Sequence, residues 1–412
     1  MAILLQNVVN RQKNEIYQAP KSILVRRTAT SHLLSVLDVP LIKVIKGPRR
    51  CGKSTLAMEG LKSKRFAYIN FEDDGVPPDV SGDDVMEALT NVYGEVDFYF
   101  FDEIQNMDRW EPFLHRLHRE QRNCIVTGSN AHLLSSELAT ALTGRHVAIE
   151  LLPFSYSEFL SVYTSPPQDA FETYITKGGF PQVVQGLVDG SSYLSALWDA
   201  VVLKDVVQRH KVRNVSALNT CYQILLNSIS SKFNFESLVR ALSQNVSAPT
   251  VKNFVRFANE AYLICDLRAF SLSAKKRHKT DRKSYVYDTG FVKSMNISGG
   301  PDWGRLLENV VFLELLRRGL RPNIELFYFN TKNNYEVDFL IRKGESYELI
   351  QVIWALGEQK TKEREIRALS EAAKELNASS LKIITRGHQE TVTQNGIQIE
   401  ILPAHNWLLN NY

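Results

Sequence analysis

Cysteine is scarce in this chain: Cys51, Cys124, Cys221 and Cys265 are the four in 412 residues, and no two form a C-x-x-C pair. That excludes a disulfide framework and a cysteine zinc site, and it suits a reducing compartment. No stretch supplies the roughly 18 uninterrupted apolar residues that a membrane-spanning helix needs. The N-terminal Ala2-Ile3-Leu4-Leu5 is too short for a signal-peptide core, and Gln6 and Asn10 break its apolar character. Excess charge is also missing. With 49 basic and 45 acidic residues the net charge is +4, so any case for nucleic acid rests on local clusters. Internal repeats and low-complexity tracts are absent. These absences point to a cytoplasmic globular protein with no membrane partner, and its length predicts about two to four domains.

What is present begins with Gly47-Pro48-Arg49-Arg50-Cys51-Gly52-Lys53-Ser54, which fits G-x-x-x-x-G-K-[ST]. The apolar run at 41–46 leads into it and the helix former Thr55-Leu56-Ala57-Met58-Glu59 comes after it. The expected form is a strand, a glycine-rich loop and a helix N-terminus, whose backbone N–H groups converge on phosphate oxygens. Lys53 would reach the β- and γ-phosphates and the Ser54 hydroxyl would be a Mg2+ ligand. Cys51 lies inside the loop, where oxidation would inhibit; the plainer reading is a tolerated small residue. ATP and Mg2+ are the implied cofactors.

A buried strand ending in Phe100-Phe101-Asp102-Glu103 is the natural partner of that loop. In a parallel sheet both carboxylates reach the C-terminal edge, where ligands sit. Asp102 would hold Mg2+ through water, and Glu103 would orient and polarise the attacking water. The run Cys124-Ile125-Val126-Thr127-Gly128-Ser129-Asn130 ends at the same edge, so Ser129 or Asn130 is expected to touch the attacking water or the phosphate, or simply to cap the next helix. Arg145 reads equally as a γ-phosphate contact, in cis or from a neighbouring subunit of a homo-oligomer, or as an exposed strand-start arginine.

Strand candidates at 41–46, 66–71, 97–101, 123–127 and 146–151, with intervening helical segments, predict an α/β class with a parallel P-loop sheet covered on both faces. Pro166-Pro167 marks a domain edge. Beyond it lies a helical region, with helices expected at 218–229, 235–242 and 250–262 and strands at 266–272 and 283–288. This region fits a winged helix. Its recognition helix would expose Lys252, Asn253 and Arg256, and its wing would carry Lys275, Lys276, Arg277, Lys279, Arg282 and Lys283. Such density suits phosphate contacts with DNA, or a solvated hairpin on a module that binds a protein partner. The last part predicts a helix at 306–318, strands at 325–329, 335–342 and 347–354, a helix at 360–375 and a strand at 381–385.

The ordered set Gly47-x-Arg49-Arg50-x-Gly52-Lys53-Ser54, Asn70-Phe71-Glu72-Asp73, Phe101-Asp102-Glu103-Ile104-Gln105, Thr127-Gly128-Ser129, Thr143-Gly144-Arg145, Leu152-Pro153-Phe154-Ser155 and Gly178-Gly179-Phe180-Pro181 resembles a prokaryotic AAA-type ATPase family whose C-terminal region is similar to restriction endonucleases. The resemblance implies an ATPase core at 1–165, a helical lid at 166–214, a winged helix at 215–292 and a nuclease-like α/β domain at 293–412. In that last domain Glu308, Asp338 and the Gln351-Val352-Ile353 strand keep the order of the PD-(D/E)xK core, whose acids hold magnesium and whose lysine assists water. Here Gln351 stands at an acidic position and Ile353 at the lysine, with Lys360 and Lys362 the nearest candidates to move in. The favoured expectation is an ATPase switch or motor that engages DNA and carries a non-cleaving nuclease fold for binding or assembly. The alternatives are an ATP-regulated nuclease and a scaffold ATPase that binds protein only.

Overall fold

The computed structural model describes residues 2–18, 25–129, 144–163, 166–242, 246–271, 281–295, 302–357, 359–394 and 396–410. The chain divides into two compact units: Met1–Pro153 with Glu260–Tyr262, and Phe154–Asn259 with Leu263–Tyr412. Among the described residues, no helix is long and apolar enough to cross a membrane.

The first unit is built on five parallel strands, β1 (Ile42–Lys46), β2 (Phe66–Asn70), β3 (Phe98–Asp102), β4 (Cys124–Gly128) and β5 (His146–Glu150), ordered β2-β3-β4-β1-β5. The strands are near-continuous apolar runs because helices cover both faces. Along β3 the alternation is visible: Phe98 and Phe100 pack with Tyr68, Ile125 and Leu56, while Tyr99 and Phe101 pack with Ile69, Val126 and Phe113. Register carries the ends of the strands to one edge, with Lys46 opposite Gly128 and Asn70 opposite Asp102.

The helices of this unit are α1 (Ala2–Gln18), α2 (Ala29–Val36), α3 (Lys53–Leu61), α4 (Gly82–Tyr93) and α5 (Trp110–Arg119). The apolar start of α1, too short for a signal peptide, is the beginning of an amphipathic helix. Its Leu5, Val8 and Val9 enter the core at helical spacing.

In the second unit the expected helices appear as Val215–Asn227, Phe235–Ala241 and Ala248–Glu260. They accompany a small antiparallel sheet, β6 (Lys232–Phe233), β7 (Ile264–Arg268) and β8 (Arg282–Val286), ordered β6-β8-β7. The helix Trp303–Arg317 precedes a six-stranded mixed sheet of β9 (Leu326–Asn330), β10 (Glu336–Lys343), β11 (Ser346–Ile353), β12 (Ser380–Thr385), β13 (Glu390–Gln394) and β14 (Ile397–Pro403), ordered β13-β14-β12-β11-β10-β9. The helix Gln359–Leu376 sends Ile366, Leu369, Ala372 and Ala373 into the core of that sheet. The last hairpin carries little sequence signal because much of β13 is exposed and polar.

The run Gly178-Gly179-Phe180-Pro181 also gains a physical reason here. Gly178 has φ +75°, and a Cβ on it would lie 1.8 Å from the Asp288 carboxylate. That carboxylate accepts hydrogen bonds from Gly179 N at 2.7 Å and Gly290 N at 2.9 Å. Burial pushes the Asp288 carboxyl up to about 7.

A phosphate-loop site and a lysine-filled carboxylate cluster

The loop from Gly47 to Gly52 leaves β1 and opens α3, as its spacing requires. Gly47 has φ +152° and passes so close to Leu151 that a Cβ would lie 1.9 Å from the carbonyl oxygen. Gly52, at φ +98°, is the left-handed residue from which α3 starts. Pro48 and Cys51 are buried beneath the loop, Arg50 and Thr55 are exposed, and Arg49 Nη1 donates to Glu72 Oε1 at 2.5 Å. Cys51 Sγ donates to Leu151 O at 3.2 Å, and burial pushes its thiol up, so an oxidation switch has neither access nor thiolate. Arg27, unnoticed in the sequence, ties the loop down by donating to Cys51 O at 2.7 Å and to Leu152 O.

The strand ends bring the acidic pair to this loop. Ser54 Oγ donates to Asp102 Oδ1 at 2.9 Å, and Thr127 Oγ1 donates to the same oxygen. Tyr68 OH reaches Asp102 Oδ2 at 3.2 Å. Burial and the neighbouring Glu103 charge raise the Asp102 pKa. The adjacent Ser54 hydroxyl and Asp102 carboxylate are an all-oxygen pair that fits Mg2+.

Lys53 is 4% exposed, donates to Pro48 O at 2.9 Å and stands 3.5 Å from Glu103 Oε1. Glu103 has φ +50°, in the left-handed region. Burial alone would raise its carboxyl, but Lys53, a hydrogen bond from Gln105 Nε2, the charge of Arg49 and Ser129 N outweigh it and bring it to about 2. Gln105, Thr127 and Tyr68 are site residues that sequence reasoning passed over. Gln105 and Thr127 stood within recognised motifs, while Tyr68 looked like an ordinary strand residue.

One expectation for this unit is left untested and one changes. Asn130 lies outside the described residues, while Ser129 is buried and bonds Glu103 through its backbone. Arg145 sits at the start of β5 beside Ile42, at the opposite end of the strands from the phosphate loop. At about 3.3 Å per residue the strand separates them by about 15 Å. Its guanidinium stands 3.0 Å from His115 Nδ1 on α5. A cis contact with the γ-phosphate is therefore excluded in this arrangement.

The second unit holds another buried lysine among acids. Lys283, on β8, is 1% exposed. Its Nζ lies 2.9 Å from Glu308 Oε1, 2.8 Å from Asp338 Oδ1 and 2.6 Å from Glu336 Oε1. The DNA-contact reading of Lys283 is thus corrected, because an ammonium enclosed by three carboxylates has nothing left for a phosphate. The register shift between Val337 and Leu340 on β10 flanks Asp338. Asp338 Oδ2 accepts from Val352 N at 2.9 Å. Gln351 accepts from Asp338 N at 3.2 Å and donates to Glu365 Oε2 at 2.9 Å, so both ends of its amide are engaged.

Tyr285 OH donates to Glu308 at 2.6 Å. Burial, with Asp338 nearby, still raises the Glu308 carboxyl to about 8. Lys362 pairs with Glu390 at 2.5 Å and Ile353 packs against the core, while the Lys360 side chain lies outside what the structure describes. The Mg2+ of a nuclease does not fit here: the cation position holds an ammonium group. Among the described residues no cluster of acidic, histidine or cysteine side chains is suited to a metal ion.

Of the remaining basic residues, Lys252 and Arg256 are exposed on the helix Ala248–Glu260, as expected. Arg282 is ion-paired with Asp266. Lys275, Lys276, Arg277 and Lys279 lie outside the described residues.

Three family profiles cover the chain in succession: an AAA domain at residues 40–160, a domain of unknown function (DUF8612) at 168–300 and another (DUF4143) at 303–407. The chain is 36% identical over 398 residues to the uncharacterized protein MJ1544 of Methanocaldococcus jannaschii, covering 89% of this chain and 88% of that one. An uncharacterized Haemophilus influenzae protein is 28% identical, covering 94% and 99%. Among solved structures, a Walker-type ATPase of Pyrococcus abyssi is 16% identical with a TM-score of 0.43, covering 66% of this chain and 96% of that one. That overall likeness is loose.

Proposed function

The chain belongs to the family of this Methanocaldococcus jannaschii protein and carries an AAA domain, and we propose that it is a Mg2+-dependent ATPase. The observation that carries the reading is the convergence at one sheet edge of Lys53 on Glu103 and of Ser54 on Asp102. Bound Mg2+, held by Ser54 and by Asp102 through water, would neutralise charge on the β- and γ-phosphates. Lys53 then exchanges Pro48 O and Glu103 for phosphate oxygens. Glu103, released from that pairing, accepts a hydrogen bond from the attacking water and orients it. Paired with Lys53, Glu103 is held at about 2, so it enters that exchange as an anion.

Hydrolysis drives a switch or motor that engages DNA. Three helices packed with the sheet β6-β8-β7 support reading 215–292 as a winged helix, and exposed Lys252 and Arg256 on its third helix support phosphate contacts. Residues 166–214 then form the lid. Residues 293–412 form a nuclease-like domain used for binding or assembly, and Lys283 among its carboxylates supports a domain that does not cleave. A trans role for Arg145 would require a homo-oligomer.

The test is an ATPase assay with and without single- and double-stranded DNA, run beside a Mg2+- and Mn2+-dependent cleavage assay. Expected are hydrolysis stimulated by DNA and no cleavage. Lys53→Ala should lose nucleotide binding, and Glu103→Gln should bind ATP while turnover falls about 100-fold or more. Wild-type turnover in Glu103→Gln removes Glu103 from its role. Cleavage abolished by Asp338→Ala restores the nuclease alternative.

A further inference from the structure

A second site lies in the small sheet itself. A cavity of about 440 Å³ opens between the helix Ala248–Glu260 and strands β7 and β8. Lys252, Arg256 and Asn259 line it from one helical face, and Asp266, Arg268 and Arg282 from the two strands, with Phe235 at its wall. Its charges do not balance, since four cations face one carboxylate. Asp266 is already committed to Arg282 and to Asn259 Nδ2, the latter at 3.0 Å.

Arg268 and Arg282 are direct cross-strand partners in the antiparallel ladder, a placement that costs stability for like charges. Burial and the Arg282 charge lower the Arg268 pKa. Its Nε is buried without a hydrogen-bond partner among the described residues. That Nε is an unfilled donor in the wall of the cavity. The volume falls in the range of small-ligand sites and exceeds what a bare anion needs. The Phe235 ring, with Arg282 at 4.7 Å and Lys252 at 5.6 Å, offers an aromatic wall.

We propose that this cavity binds the phosphate of a nucleotide unit, with Arg268 as the central donor flanked by Arg282 and Arg256. The proposal deepens the DNA reading of the same region and rests on it only for the source of the phosphate, a nucleic-acid strand or a free nucleotide.

The experiment uses the full chain in the Lys53→Ala background, which silences the phosphate loop, and monitors three probes: a labelled oligonucleotide over a salt series, AMP, and inorganic phosphate. Arg268→Ala should weaken oligonucleotide binding about tenfold and lower the salt slope by about 1. Arg268→Lys should recover part of the affinity, and Lys374→Ala, distant on an exposed helix face, should change nothing. Because Arg268 faces Arg282 across the ladder, Arg268→Ala should also melt at or above the parent temperature, the reverse of a purely structural residue.

Binding of AMP or phosphate that Arg268→Ala abolishes, with no oligonucleotide binding, supports the pocket and ends the DNA reading. Oligonucleotide binding lowered by Lys252→Ala but untouched by Arg268→Ala overturns the pocket and keeps the DNA reading. Failure of all three probes to bind overturns the pocket.

Discussion

Lys53 in one unit and Lys283 in the other are buried against acidic side chains, and the two arrangements are opposites. Lys53 stands 3.5 Å from a single Glu103 oxygen and spends its other contact on a backbone carbonyl, beneath the glycine-rich loop. Lys283 lies within 3 Å of three carboxylates, in a cluster where Tyr285 OH donates to Glu308 and Val352 N to Asp338. The first lysine is held by a partner it can leave; the second is the partner that makes its site possible. A buried carboxylate that loses its cation is less costly where other donors remain on it and where no second carboxylate faces it, so the two sites should respond differently to losing the lysine.

The largest effect that would break this contrast is on stability. Lys283→Met removes the cation shared by Asp338, Glu336 and Glu308 and should cost about 3–5 kcal/mol in denaturant unfolding. Lys53→Met should cost less than Lys283→Met, because Glu103 keeps its hydrogen bonds from Gln105 and Ser129 N. Equal losses would show that Lys53 is as structural as Lys283.

The next effect is on pH dependence, where the two sites should carry slopes of opposite sign. Glu308, raised to about 8 from 4.5, keeps its proton in the folded protein where the unfolded chain has lost it. Stability should therefore fall as pH rises from about 4.5 to 8. Asp288, raised to about 7, acts in the same window, so Glu308→Gln should flatten the slope in part. Glu103, lowered to about 2, contributes stability that is present above pH 4.5 and lost as pH falls toward 2, so Glu103→Gln should alter only the acid limb. Unfolding midpoints measured from about pH 3 to 9 separate the two. The smallest effect concerns Gln105: Gln105→Ala removes one donor from Glu103, and kcat for ATP should fall about fivefold, as one hydrogen bond of about 1 kcal/mol implies.

The parallel sheet and the phosphate loop were legible because local chemistry dictates them: glycines at forced φ values, apolar runs, and carboxylates at a strand end. Asp102 and Glu103 were legible for the same reason. The role of Lys283 was not. Its neighbours in sequence are a run of exposed-looking basic residues, and only pairing of β8 beside the helix bearing Glu308 turns it inward. The acids Glu308 and Asp338 were visible, but the ammonium that sits between them comes from β8, far earlier in the chain, which no spacing rule reaches. Arg145 failed for a geometric reason, since being adjacent to a strand says nothing about which end of the sheet faces the ligand until register is known.

The matched AAA domain begins at residue 40, yet the loop that would grip phosphate is held at Cys51 O by Arg27, and the core of that unit is completed by α1. The nucleotide-binding unit is therefore not a self-contained cassette. Arg27 and α1, both ahead of residue 40, brace the phosphate loop and the core of this unit from outside the matched domain.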